Sequence, residues 1–180
     1  MKKIFKAIDF AQKAHNGQCR KGCELPYIVH PLGVMEILIR AEQSEDVIVA
    51  GILHDTLEDT DVTEEQLEKK FGKRVKDLVV AASEPDHDAP WEVRKQHTID
   101  FLSQCTDTDV LMISCADKLH NIISFIDDYE VIGEALWSRF KRGQEAQKWY
   151  YTALADIFIK HDKRNPLFKE FHKIVYKLFK

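Results

Sequence analysis

The segment His54-Asp-Thr-Leu-Glu58-Asp59 gathers one imidazole and three carboxyl groups in a very short stretch. On a helix, residues four apart share a face, so His54 lines up with Glu58 and Asp55 with Asp59 as two adjacent polar columns. The run ahead of them, Val47-Ile-Val-Ala-Gly-Ile-Leu53, is apolar or small throughout, which puts the cluster at the end of a segment that must be buried. Three carboxylates held there repel one another and are driven toward protonation unless a cation sits among them. A divalent metal ion is the simplest such cation. A mixed nitrogen and oxygen donor set suits Mn, Fe, Zn or Co better than Ca or Mg, which prefer oxygen alone.

One helix cannot supply a whole site. His30 stands just before Pro31, where a loop gives way to a helix, and Asp117 stands in Ser114-Cys-Ala-Asp-Lys-Leu-His-Asn121, amid Ile113, Ala116 and Leu119. A carboxylate in so apolar a stretch is rarely buried without a partner. Asn121 lies one turn on, on the same face. The sequence separations leave room for each residue to arrive on a different helix, as sites inside helical bundles are built. Taken singly, each has a plainer reading. A histidine before a proline also suits loop packing, Asp117 suits a buried ion pair with Lys118 or an arginine, and a His-Asp dipeptide has almost no specificity. Their joint occurrence is what points to a metal.

The elements that must position these groups are helical. Only 7 Gly and 5 Pro punctuate the chain, and nearly every segment between them repeats its apolar residues at three-to-four spacing, which predicts an all-α fold. Ile4, Ala7, Ile8, Ala11 and Ala14 mark the inner face of a first helix. Asn16 to Val29 has no period and reads as a loop. Pro31 suits the first turn of a second helix that ends near Arg40, with Val34, Met35, Leu38 and Ile39 inward. Ser44 caps a third, with Glu45 and Asp46 at its positive end. That third helix is expected to continue, buried, through His54 to Asp59. Thr63 and Gln66 fit a capping box, and Gly72 a helix stop. Further helices are expected with Val75 to Ala82, from Trp91 to Leu102, from Val110 to Ile126, over Gly133 to Arg142 and from about Gln144 to Lys160. That long helix should bury Ala146, Trp149, Tyr150, Ala153, Leu154 and Ile157. A last helix, 166–180, follows Asn165-Pro166 and gathers Phe168, Phe171, Ile174, Val175, Leu178 and Phe179. Glu84 to Pro90 reads as a polar loop. With no repeat and no break in composition, one domain over 1–180 accounts for the chain.

The 180 residues carry 26 Lys+Arg against 30 Asp+Glu, a net charge of −4. No stretch approaches the ~20 apolar residues of a spanning helix, so no membrane partner is expected. The acidic balance argues against a broad nucleic-acid-binding face. An anionic ligand therefore needs a local basic cluster, and Arg20-Lys21 in the first loop is one; Arg94 and Lys95 either point inward or lie on an exposed face. Lys6 and Asp9 interrupt any secretory leader, which makes the four cysteines free thiols of a reducing cytoplasm. Cys19 and Cys23 have half the spacing of a zinc site, with no second pair to complete it.

His30, His54-Asp55 and Asp117 follow the order H…HD…D of the HD-domain metal-dependent phosphohydrolases. More narrowly, Arg20-Lys21, Pro26-Tyr-Ile-Val-His30-Pro31, Leu53-His-Asp-Thr-Leu-Glu-Asp-Thr60, Phe71-Gly72 and Ala116-Asp-Lys-Leu-His-Asn121 resemble the hydrolase domain of RelA/SpoT-type enzymes and the stand-alone small alarmone hydrolases, over about residues 1–160. The resemblance implies an all-α bundle around one divalent ion, usually Mn2+, that cleaves the 3′-pyrophosphate of guanosine tetra- and pentaphosphate in the stringent response. Carried over by motif, His30, His54, Asp55 and Asp117 are the metal ligands. Glu58 and Asp59 match the residues that orient or deprotonate the attacking water. Arg20 and Lys21 match the phosphate-binding pair, with Lys118 and Asn121 as further substrate contacts. Trp149, Tyr150 and Tyr151 lie on the helix where the family contacts its nucleotide; Tyr150 falls on the apolar stripe, so Tyr151 is the expected ligand residue. The substrate expected is a small phosphorylated nucleotide, guanosine tetra- or pentaphosphate first; the alternatives are another nucleotide or phosphoester on the same metal site, or a nucleotide sensor without turnover. No synthetase domain is expected beside a hydrolase that uses all 180 residues. The oligomeric state is not set by these residues: Phe168, Phe171, Val175 and Phe179 suit either a core or a dimer contact.

Overall fold

The computed structural model describes residues 1–22, 24–84 and 88–180. Cys23 and the 85–87 part of the expected polar loop lie outside the described residues, and with Cys23 the half-spaced cysteine pair. Every named element is helical, and the one β-type pairing among the described residues is an isolated antiparallel bridge between Cys19 and Pro26.

Two compact units divide the chain. The first comprises Met1–His87 and Asp107–Asp117. It holds α1 (Lys2–Ala14), α2 (Val29–Arg40), α3 (Glu45–Leu53), α4 (Thr56–Asp59), α5 (Glu64–Phe71), α6 (Lys73–Ala82) and the opening of α8 (Thr108–Ile132). Its centre is α3, buried at every position from Val47 to Leu53 and packed against α1, α2 and α6. So complete a burial requires a close approach. A Cβ on Gly51 would stand 2.3 Å from Leu38 Cδ1 and 3.3 Å from Val34 Cγ1, so only glycine lets α2 lie this near. Ser44 Oγ accepts from Val47 N–H at 3.4 Å to start α3. Thr63 and Gln66 form the reciprocal capping box of α5, and Gly72, at φ 90°, takes a left-handed turn that opens α6. Arg74 on α6 grips Asp107 with two guanidinium nitrogens, at 2.7 and 3.0 Å, and also pairs with Asp109. This clamp fixes the start of α8 and with it the register that delivers Asp117.

The second unit comprises Asp88–Thr106 and Lys118–Lys180. Here α9 (Gly143–His161) packs on α7 (Trp91–Gln104), on a 3₁₀ turn over Gly133–Arg139 and on α10 (Pro166–Leu178). Asn165 Oδ1 accepts from Leu167 N–H at 2.9 Å to cap α10. Phe158, Phe168 and Phe171 are fully buried and stacked or edge-on to one another, and Val175 and Phe179 are buried too. These residues seal the core of this unit.

Several expectations are corrected. The helix through the polar cluster does not run on unbroken: it stops at Leu53 and restarts at Thr56, with His54 and Asp55 in the turn between. The second helix begins at Val29, the last residue of the expected loop, with Pro31 in its first turn as expected, and its inner face includes Ile37 while Ile39 is 49% exposed. The helix expected from Val110 to Ile126 extends over Thr108–Ile132, and the piece from Gly133 is a 3₁₀ turn ending at Arg139. On α9, Trp149 is 40% exposed, and Gln147, Tyr151, Ala155 and Phe158 are buried instead.

Candidate metal centre

The break between α3 and α4 is made locally. Thr56 Oγ1 donates to the Leu53 carbonyl at 2.7 Å, which satisfies a carbonyl that the helix ladder leaves at the turn, and Thr60 Oγ1 closes the far end of α4 on the Thr56 carbonyl at 2.6 Å. His54 Nδ1 pairs with the Gly51 carbonyl at 2.8 Å. A carbonyl only accepts, so Nδ1 donates to it, and Nε2 is the nitrogen that faces inward as the potential ligand atom.

Three elements meet at that nitrogen. His30 Nε2 from α2 lies 3.2 Å from His54 Nε2. Asp117 Oδ1 from α8 is 3.2 Å from His30 Nε2 and 3.7 Å from His54 Nε2. Asp55 Oδ2 is 2.9 Å from His54 Nε2 and 3.5 Å from His30 Nε2. His30 and His54 are almost wholly buried, Asp117 is 8% exposed, and donor atoms of these three all fall within 4.8 Å of one another. Two imidazole nitrogens pointing at one spot beside two carboxylates fit a divalent ion. Separations near 3 Å are what neighbouring ligands of one ion show when each bond is ~2.1 Å.

The electrostatics agree. Burial lowers the His30 imidazole below its ordinary value, against the pull of Asp117. Burial also disfavours the charged form of His54, but Asp55 and Asp117 outweigh it and hold that imidazole well above its ordinary value. Burial would raise Asp55, yet His54 holds its carboxyl well below the usual range. This is a site that keeps a positive charge between its carboxylates, here on a proton where a metal ion would serve.

The other expected residues fall as follows. Glu58 is half-buried on α4, and its Oε2 accepts from Glu84 N–H at 3.2 Å. Asp59 follows it, with its carboxyl raised by burial and by the negative Asp55. Arg20 holds its guanidinium carbon 5.8 Å from the Tyr27 ring centre, and Lys21 is exposed in the same loop. Lys118 and Asn121 are half-buried on α8 in the second unit. There Tyr150 and Tyr151 are almost equally buried, and Tyr151 lies against Phe125, Phe171 and Phe179, so burial does not separate the two tyrosines as their stripe positions suggested.

Tyr27 is the residue that sequence reasoning missed. Its hydroxyl donates to Asp55 Oδ2 at 2.6 Å, and burial together with that carboxylate raises the phenol far above its ordinary range. The signal is its place three residues before His30, in the turn that leads into α2, where the Tyr27 carbonyl accepts from His30 N–H.

Residues 7–131 match the HD domain family, and the chain belongs to it. The guanosine-3′,5′-bis(diphosphate) 3′-pyrophosphohydrolase of Borreliella burgdorferi is 36% identical over 125 residues, 67% of this chain and 19% of that protein. The guanosine-3′,5′-bis(diphosphate) 3′-pyrophosphohydrolase MESH1 of Danio rerio is 36% identical over 122 residues, 66% of this chain and 67% of that protein. A protein of Listeria monocytogenes EGD-e with a crystal structure superposes at a TM-score of 0.77 with 36% identity, over 83% of this chain and 98% of that one. The chain spans less than a fifth of the length of longer curated relatives such as that of Borreliella.

Proposed function

We propose that the chain is a metal-dependent phosphohydrolase that removes the 3′-pyrophosphate of guanosine tetra- and pentaphosphate. The observation that carries it is the meeting of His30, His54, Asp55 and Asp117 at one buried point in a chain 36% identical to proteins named for that reaction. These four residues would hold the ion; their nitrogen and oxygen donors suit Mn, Fe, Zn or Co, and the family resemblance favours Mn2+ among these. Bound there, a divalent ion lowers the pKa of a coordinated water and polarises the phosphoryl oxygen.

The rest is done by the chain. Glu58 and Asp59 orient the water and take its proton, a role favoured at Asp59 by a carboxyl raised toward neutrality. The water oxygen bonds to the phosphorus carried on the 3′ oxygen, and the bond between them breaks. Pyrophosphate leaves and the 3′ oxygen takes up a proton. Arg20 and Lys21 bind phosphate, Arg20 with the forked geometry of a guanidinium. Lys118, Asn121 and Tyr151 contact the nucleotide. Residues 1–180 act as one hydrolase domain, and the place of action is the cytoplasm. Among the described residues no helix is long and apolar enough to cross a membrane.

Replacing Asp55→Ala or Asp117→Ala tests this reading. Each variant should lose Mn2+ uptake and pyrophosphate release together, by more than the ~10–100-fold that outer partners of a ligand are worth. Unchanged turnover in both would contradict it.

A further inference from the structure

His15 is a buried histidine to which the proposed reaction gives no task. It follows α1, is 3% exposed, and lies against Tyr27 with ring centres 4.7 Å apart and the planes tilted by 31°. Its Nδ1 is 2.8 Å from Gln18 Oε1, while Gln18 Nε2 donates to the Asp59 carbonyl at 2.7 Å. With the amide nitrogen spent on Asp59, the Gln18 oxygen accepts, so His15 donates from Nδ1. The loop ties the parts to each other: Tyr27 N–H donates to the Gln18 carbonyl at 2.9 Å, and Arg20 N–H to the Leu25 carbonyl at 2.8 Å.

Two arms thus reach from one closed loop to the two ends of the same short turn. Tyr27 grips the side chain of Asp55 where the turn begins and also reaches the Asp59 carboxyl, and Gln18 grips the backbone of Asp59 where α4 ends. A lone histidine packed for stability would need neither arm. We propose that His15, Gln18 and Tyr27 form a bracket that positions the Asp55–Asp59 turn, Tyr27 aiming the Asp55 carboxylate at the ion and Gln18, locked by His15, setting the place of Asp59 over the water. All three are positioning residues. The inference rests on the metal reading given above and adds to it the residues that fix the carboxylates.

The two arms predict a split that loss of stability alone does not produce. Tyr27→Phe keeps the ring against His15 and removes only the hydroxyl. Titrating the metal-free full chain with Mn2+ should show its affinity reduced by about 10-fold or more, with the melting temperature of the metal-free protein unchanged. Gln18→Leu should bind Mn2+ like the parent chain, while kcat for pyrophosphate release at saturating Mn2+ falls about 10-fold and KM stays put. His15→Phe, which keeps the ring stack but not the donor, should follow Gln18→Leu. The bracket is overturned if Tyr27→Phe binds Mn2+ as tightly as the parent, or if Gln18→Leu retains full kcat. A parent chain that takes up no Mn2+ overturns the metal reading itself, a result distinct from either.

Discussion

At the scale of the residue, His54 carries the pH behaviour of the centre. Its imidazole is held well above the ordinary value by Asp55 and Asp117, whereas His30 is lowered by burial. In the metal-free protein the proton to be displaced therefore sits on His54. An ion binds neutral imidazole, so binding expels that proton and affinity must rise with pH until His54 has lost it, then level off. Mn2+ titrations from about pH 6 to about pH 9, with proton release followed in weakly buffered solution, should show that rise; an affinity independent of pH would mean that His54 is not a ligand. The residue types were legible from the start, because an imidazole and several carboxylates after a buried run need a cation whatever the fold. The bracket was not. His15, Gln18 and Tyr27 act through a loop whose closure depends on hydrogen bonds between backbone groups, and no periodicity announces such a loop.

At the scale of the element, the site depends on how tightly α3 lies on α2. Gly51 serves twice, since its missing side chain admits Leu38 and its carbonyl orients His54. Gly51→Ala must push Leu38 aside, and overpacking of this kind costs ~1–3 kcal/mol. Urea unfolding should show a loss of that size together with weaker Mn2+ binding; a variant as stable as the parent would mean that α2 and α3 move apart freely. Helix caps were the most legible features, and Ser44, the Thr63 and Gln66 box and Gly72 all stand where their residue types put them. The division of the polar segment was less so. Helical spacing is compatible with an unbroken helix, and the turn at His54 and Asp55 comes with the Thr56 hydroxyl taking the carbonyl of Leu53. Ile39 and Trp149 show a related ambiguity. An apolar stripe is broad enough to admit either of two neighbouring positions, and the packing partner decides which is inside.

At the scale of the whole molecule, the net charge of −4 includes Asp55, Glu58, Asp59 and Asp117, all on or beside the metal centre. Their repulsion is part of the cost of folding without the ion. If residues 1–180 act as one domain, the chain unfolds in a single cooperative transition, and Mn2+ raises its midpoint. At a free concentration 100 times the dissociation constant the gain is about 2.7 kcal/mol. Calorimetry with Mn2+ and then with excess chelator should show one peak that shifts down as the metal is removed; two peaks, of which only one responds, would contradict a single domain. The helical architecture was legible because the segments between few glycines and prolines repeat their apolar residues at three-to-four spacing. Its division into two compact units was not, as each is assembled from separate stretches of sequence.

Hydrolysis of the 3′-pyrophosphate of a guanosine nucleotide is the reaction proposed for this centre. Its most direct test incubates the purified Mn2+-loaded chain with guanosine tetraphosphate beside a panel of other phosphorylated nucleotides, and identifies the products. Pyrophosphate and guanosine diphosphate are expected from the tetraphosphate, in amounts that fall to background on chelation. Orthophosphate as the product, or turnover confined to another member of the panel, would contradict it.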